Sequence, residues 1–156
     1  GYRIVRRSSG EAVTPDTQIY IVDSVGELGL VYRLAKIAFI GGSLIPHGGQ
    51  NLLEAAKLGC AILHGPSMFN FKAIVDEMQQ SGATEMAIDA VGIARAVTAL
   101  LRDDGLRQTR TRAASDVAQR KSTILDAVMA DLTPFLNGTG DQTTRDDAKA
   151  HCHARP

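Results

Sequence analysis

The residues best suited to chemistry crowd into one stretch, AFIGGSLIPHGGQNLLEAA, from Ala38 to Ala56. Gly41, Gly42 and Ser43 follow an apolar run, and Gly48 and Gly49 then lead to Asn51 and Glu54. Glycines let a backbone approach a ligand with no Cβ in the way. The first turn of a helix offers unpaired N–H groups and the positive end of its dipole. A strand, a glycine loop and a helix start in that order make an anion site, most often for phosphate. The spacing matches neither the P-loop G-x-x-x-x-G-K-[ST] nor the dinucleotide G-x-G-x-x-G.

Two readings of Asn51 and Glu54 stand side by side. In one, Asn51 is an N-cap and Glu54 its partner in a capping box. In the other, Glu54 accepts hydrogen bonds from a ribose diol and Asn51 lies near a phosphate. Ser24 and Glu27 have the same box spacing and the same ambiguity. His47, between the glycine pairs, is either solvated or a donor to phosphate or sugar carboxylate. His64 ends a strand and reads as core or rim. Asn70 and Phe71, after Gly65–Pro66, are either a cap and a core residue or part of a pocket floor. No Ser–His–Asp or Cys–His arrangement is present, and no general base stands out.

The elements that must position these residues alternate. Tyr2 to Arg7 reads as a strand, and Gln18 to Val22 (QIYIV) as a buried one. A helix is expected over about 25–35, with Leu28, Val31, Tyr32 and Ala35 on one side. Ile37 to Ile40 is the next strand. A helix over about 50–58 ends at Gly59, a suitable residue just past a helix end. Cys60 to His64 is a short apolar strand, and 70–80 a helix burying Phe71, Ile74, Val75 and Met78. Thr84 to Ile88 reads as an edge strand. Asp89 caps a helix with Ile93, Ala96, Val97, Leu100 and Leu101 on its stripe, closed by Gly105. A long helix to about residue 136 carries Val117, Ile124, Val128, Leu132 and Leu136 on one face. Arg107, Arg110, Arg112, Arg120 and Lys121 read as its exposed basic face, with contact to an anionic membrane surface a weaker alternative.

Such alternation implies an α/β, Rossmann-like parallel sheet with helices on both faces, whose ligands sit beyond the carboxyl ends of the strands. Residues 1–136 form one expected domain. Residues 137–156 lack apolar periodicity and read as a disordered tail. The 156-residue chain is 44% hydrophobic, enough for a core, and its net charge of zero gives no pointer to nucleic acid. No run is apolar enough to span a bilayer, and no signal peptide is visible. Cys60 and Cys152 make no disulfide framework. His151, Cys152 and His153, like Asp103–Asp104 and Asp146–Asp147, lack a second ligand cluster, so no metal is expected. The start at Gly1, in mid-pattern, reads as a domain of a longer enzyme.

From Ile19 to Lys72 the chain resembles the C-terminal half of 3-deoxy-D-manno-octulosonic acid (Kdo) transferases. The matching pieces are D-x-x-G-E-L-x-x-x-Y (Asp23 to Tyr32), F-I-G-G-S-L (Phe39 to Leu44), G-G-x-N-x-L-E (Gly48 to Glu54) and G-P-x-x-x-N-F (Gly65 to Phe71). Gln50 stands where His is usual, Leu52 for Pro, Lys36 for Asp and Ser67 for His. The resemblance implies half of a GT-B glycosyltransferase, the half that holds the nucleotide-sugar donor CMP-Kdo, with no further cofactor. It implies donor contacts at Gly26, Glu27, Gly42, Ser43, Asn51 and Glu54; Gly48 and Gly49 join them from the glycine-loop reading. It further implies an inverting, metal-independent transfer to a lipid A precursor in lipopolysaccharide synthesis, at the cytoplasmic face of the bacterial inner membrane. The catalytic base and the acceptor surface belong to an N-terminal domain, so this segment alone is expected to be inactive. The alternatives are a GT-B enzyme using a UDP-sugar, or a nucleotide-binding module with no enzymatic partner domain.

Overall fold

The computed structural model describes residues 1–137. Strand β1 (Ile4–Arg6) pairs in parallel with β2 (Ile19–Ile21). After α1 (Leu28–Leu34) come β3 (Ile37–Phe39), α2 (Leu53–Lys57), β4 (Ala61–His64), α3 (Lys72–Gln80) and β5 (Thr84–Met86). Helices α4 (Ala90–Arg102) and α5 (Asp104–Asn137) complete the order. All strand pairs are parallel, in two sheets: β1-β2, and β3-β4-β5 with β4 in the middle. The α/β class with parallel strands is as expected. The ladder, however, is split, since β3 is hydrogen-bonded only to β4 among the described residues.

Strand alternation sends successive side chains to opposite faces, and both faces of the larger sheet are covered. Ala38, Ile40 and Ile62 face a core with Leu52, Ala55 and Ala56, with Val75 and Met78 of α3, and with Ala114, Val117 and Ala118 of α5. Ala61 and Leu63 face Ala96 and Leu100 of α4. β4 is buried along its whole length, as a central strand between two helical layers should be.

Several expectations need correction. β2 is not a buried strand: Ile19, Tyr20 and Ile21 are each 38–40% exposed, because β2 has a single strand neighbour in a two-stranded ribbon. Neither capping box closes. Glu27 turns to Arg7 and to the Ser24 hydroxyl, which offer charge and a nearer donor than a backbone N–H. The Asn51 carboxamide accepts from the Leu53 N–H at 3.0 Å, a turn of two residues that delays the helix to Leu53. Gly105 lies inside the first turn of α5. The chain breaks earlier, at Asp103, whose carboxylate accepts the Leu106 N–H at 2.9 Å. Asp89 does cap α4, accepting from the Gly92 N–H at 2.7 Å, but Leu101 on that helix is exposed. Arg107 and Arg110 are not part of a solvated face: Arg107 pairs with Asp104 and donates to the Leu100 carbonyl, while Arg110 pairs with Glu85 of β5.

Residues Gly1–Gln119 form one compact unit, and the described residues from Arg120 on belong to a second. Within the second, Ile124, Val128, Met129 and Leu132 of α5 are exposed, so the apolar stripe expected there is open rather than packed. Leu136 is the helical residue the stripe was expected to end on. Of the tail expected over 137–156, Asn137 is the last residue of α5, and the rest, with Asp146, Asp147, His151, Cys152 and His153, lies outside the described residues. Among the described residues, no helix is long and apolar enough to cross a membrane, and no three His, Cys, Asp or Glu side chains gather as for a metal.

Candidate functional site

Beyond the carboxyl end of β3 opens a hollow of about 340 Å³ lined by Leu28, Tyr32, Phe39, Ile40, Gly41, Gln50, Asn51 and Glu54. That is the end of a parallel sheet where ligands bind. The Glu54 carboxylate is exposed and has no hydrogen-bond partner among the described residues. It comes near enough to α1 that a Cβ on Gly29 would lie 3.7 Å from its Oε1. Burial, and then the charge of Glu54, push the Tyr32 phenol above its ordinary pKa. The backbone N–H groups of Gly41, Gln50 and Asn51 likewise have no partner among the described residues. The lining thus combines unpaired backbone donors at Gly41, Gln50 and Asn51, the carboxylate of Glu54 and the aromatic rings of Tyr32 and Phe39.

The loop behind it is tied down through Ser43. That residue is fully buried: its hydroxyl donates to the Ile40 carbonyl and accepts the Gly65 N–H at 2.7 Å. Its carbonyl accepts the Ser67 N–H at 2.8 Å. Both ends of the hydroxyl are therefore occupied inside the protein, and Ser43 acts as a clasp between two loops. Gly42, at φ +68°, accepts the Gly49 N–H at 3.3 Å and lies under the His47 ring. Gly48 and Gly49, at φ +94° and +74°, are buried against Asn70, Phe69 and Met68, where a Cβ would come within 2.3 Å of Asn70 and 2.1 Å of Met68. The second glycine pair thus serves close packing of the two loops, and the Gly48 N–H is engaged by the Ser67 hydroxyl at 3.3 Å.

Gly26 and Glu27 lie in the turn that leads to Leu28, but the Glu27 carboxylate lines a separate, mostly apolar hollow of about 440 Å³ with Arg7, Tyr20 and Leu30. Arg7 donates to it from Nε at 3.0 Å and from Nη2 at 2.7 Å. Arg7 first, and then Ser24, hold the Glu27 carboxyl below its usual range. His47 is exposed at the loop surface, its carbonyl accepting from Asn70. His64 is buried at the end of β4, where its Nδ1–H donates to the Gly65 carbonyl at 2.7 Å, leaving Nε2 to accept from Gln79 at 3.4 Å. The structure therefore brings Gly41, Gln50, Asn51 and Glu54 together, with Gly42 and Ser43 supporting them from below and Glu27 turned aside. The sequence reading missed Tyr32 as a lining residue and Arg7 as the partner of Glu27. Tyr32 was visible only as part of an apolar helix side, where Leu28 and Tyr32 stand four apart.

Comparison with known proteins fits this geometry. No family model matches the chain. It is 35% identical over 136 residues to the 3-deoxy-D-manno-octulosonic acid transferase of Haemophilus influenzae, covering 86% of this chain and 32% of that one. It is 39% identical over 131 residues to the probable mitochondrial 3-deoxy-D-manno-octulosonic acid transferase of Arabidopsis thaliana, covering 80% and 29%. The chain thus spans about a third of the length of these relatives. Among solved structures, the C-terminal CMP-Kdo binding domain of WaaA from Acinetobacter baumannii superposes with a TM-score of 0.72 at 38% identity, over 74% of this chain and 61% of that one. Over the part it spans, the chain is homologous to the 3-deoxy-D-manno-octulosonic acid transferases and has the α/β fold of the C-terminal CMP-Kdo binding domain of WaaA.

Proposed function

We propose that this chain is the donor-binding part of a glycosyltransferase that moves Kdo from CMP-Kdo to a lipid A precursor. The observation that carries the reading is the hollow at the end of β3, whose lining residues include unpaired N–H groups and a partnerless carboxylate. Its volume falls in the ~300–1,000 Å³ of small-molecule sites. In this reading the Glu54 carboxylate accepts both ribose hydroxyls, and the N–H groups of Gly41, Gln50 and Asn51 hold the phosphate. Gly42, Ser43, Gly48 and Gly49 keep that rim in place through their contacts with the next loop. Gly26 and Glu27 do not line this hollow; they lie in the turn just before Leu28, where Glu27 is held by Arg7, so their part in this reading is to set the start of α1.

During transfer the anomeric carbon loses CMP, and negative charge builds on the departing phosphate. Fixed N–H donors stabilise that charge with little reorganisation. The reaction in this proposal is inverting and uses no metal. A base outside this segment takes the acceptor proton, and the full-length enzyme works at the cytoplasmic face of the inner membrane in lipopolysaccharide synthesis.

Titration with CMP, UMP and UDP, followed by amide NMR, tests the assignment. CMP is expected to shift Gly41, Gly42 and the Asn51–Glu54 turn. Glu54→Gln should weaken CMP about tenfold, the worth of a charge-assisted hydrogen bond, and leave thermal stability unchanged. Tighter binding of UMP or UDP, or CMP binding indifferent to Glu54, would overturn it.

A further inference from the structure

At the opposite end of the same sheet lies a second concave surface, an open groove of about 510 Å³. It is lined by Arg33, Lys36, Arg107 and Arg112, with Gln108 and Thr111 between them. Lys36 directly precedes β3, whereas Gly41 follows it. At about 3.3 Å per residue the two hollows stand roughly 16 Å apart along the strand, so the groove is not an extension of the donor site.

Most of its charge is uncompensated. Arg33, Lys36 and Arg112 are exposed, and none has an ion-pair partner among the described residues. Arg107 is held in place by Asp104 at 2.6 Å and by the Leu100 carbonyl at 3.3 Å. Asp104 is the carboxylate beside the groove, and it also feels Lys36. Four cations against one carboxylate leave a net positive concavity, although the chain as a whole carries no net charge. Holding like charges together costs stability unless an anion joins them. Gln108 and Arg112, and Arg107 and Thr111, stand four apart on α5, so each pair projects from one helix side. Guanidinium forks flanked by neutral donors fit phosphate oxygens.

We infer that this groove is a second anion site, which takes a phosphate group and is separate from the nucleotide donor's hollow. The phosphate belongs either to an anionic lipid headgroup or to a free phosphate compound. The inference does not rest on the donor assignment, and its probes do not touch that hollow.

The experiment uses the full chain and the triple variant Arg33→Gln, Lys36→Gln, Arg112→Gln. All three side chains are exposed, so the fold should survive, and a thermal melt checks it. Co-sedimentation compares phosphatidylcholine vesicles with and without phosphatidylglycerol, and calorimetry follows inorganic pyrophosphate. Each cation near an anionic surface contributes about 1 kcal/mol, so the triple variant should bind roughly 100-fold more weakly at low salt. Added salt should weaken the parent chain in the same direction. Binding to phosphatidylglycerol vesicles that the triple variant loses assigns a lipid headgroup. Binding to pyrophosphate alone, lost likewise, assigns a free phosphate compound. The charge-conserving variant Lys36→Arg should keep either, and Lys72→Gln, away from the groove, should change neither. Failure of the parent chain to bind both probes, or binding unchanged in the triple variant, overturns the inference.

Discussion

Gly65→Ala isolates the contact that joins the two loops under the donor hollow. The backbone at Gly65 is pressed so closely on Ser43 that a Cβ would lie 2.3 Å from its carbonyl oxygen, 2.5 Å from its carbonyl carbon and 2.8 Å from the Leu44 nitrogen. All three atoms are backbone, so no side chain can swing away and the loop itself must move. Overpacking of this kind costs ~1–3 kcal/mol. The same movement strains two hydrogen bonds, from the Gly65 N–H to the Ser43 hydroxyl and from the Ser67 N–H to the Ser43 carbonyl. Each contributes about 1 kcal/mol net. The expected loss is therefore about 3 kcal/mol, or roughly 10 °C in Tm for a domain of this size. Gly41→Ala is the control, since nothing lies within 4 Å of a Cβ there. It should change stability by no more than about 0.5 kcal/mol. Urea and thermal unfolding of both variants decide the matter. Equal stability of the two would refute the clasp, and with it the claim that Ser43 and Gly65 fix the rim of the hollow.

Two further outcomes follow from buried polar groups. Ser43→Ala should cost about 2 kcal/mol in urea unfolding, because the Gly65 N–H and the Ile40 carbonyl both lose a buried partner; a collapse of CMP affinity with unchanged stability would instead place the hydroxyl on the ligand. Burial pushes His64 below its ordinary 6.5, so as pH falls the unfolded chain takes the proton first. Stability is then full above about 6.5 and declines below it, until the folded imidazole itself protonates. His64→Gln should flatten this decline in melts between pH 7.5 and 5.5, and an unaltered slope would refute it. Glu27 and Asp23 are also depressed, by Arg7 and Ser8 respectively, from 4.5 and 3.8. Their stabilisation is present above those values and lost at lower pH, so the onset of the decline just below 6.5 belongs to His64.

What was legible in the sequence was local. Asp89 announced the start of α4, Gly59 and Gly82 the ends of their helices at positive φ, and the short, nearly all-apolar run the centrally buried β4. The strand, glycine loop and helix order also located the hollow, because only glycine accepts the backbone at Gly42, Gly48 and Gly49 without strain. What could not be read there depends on partners brought together by topology. Parallel pairing of β1 and β2 delivers Arg7 to Glu27, twenty residues away in sequence, and β5 delivers Glu85 to Arg110. No spacing rule encodes either pair.

Glu54 shows how the two levels combine. Its spacing from Asn51 fits a capping box as well as a ligand contact, and sequence gives no means to choose. The structure removes the local claim, because Asn51 spends its carboxamide on Leu53 and the helix begins two residues after it. Nothing among the described residues takes up the carboxylate that is left over, which lines a hollow where the backbone N–H groups of Gly41, Gln50 and Asn51 are also unpaired. A donor set and an acceptor left open in the lining of one cavity are complementary to a group carrying both an anion and hydroxyls. A nucleoside monophosphate is such a group, and neither a lone anion nor a lone diol would use both the donors and the acceptor.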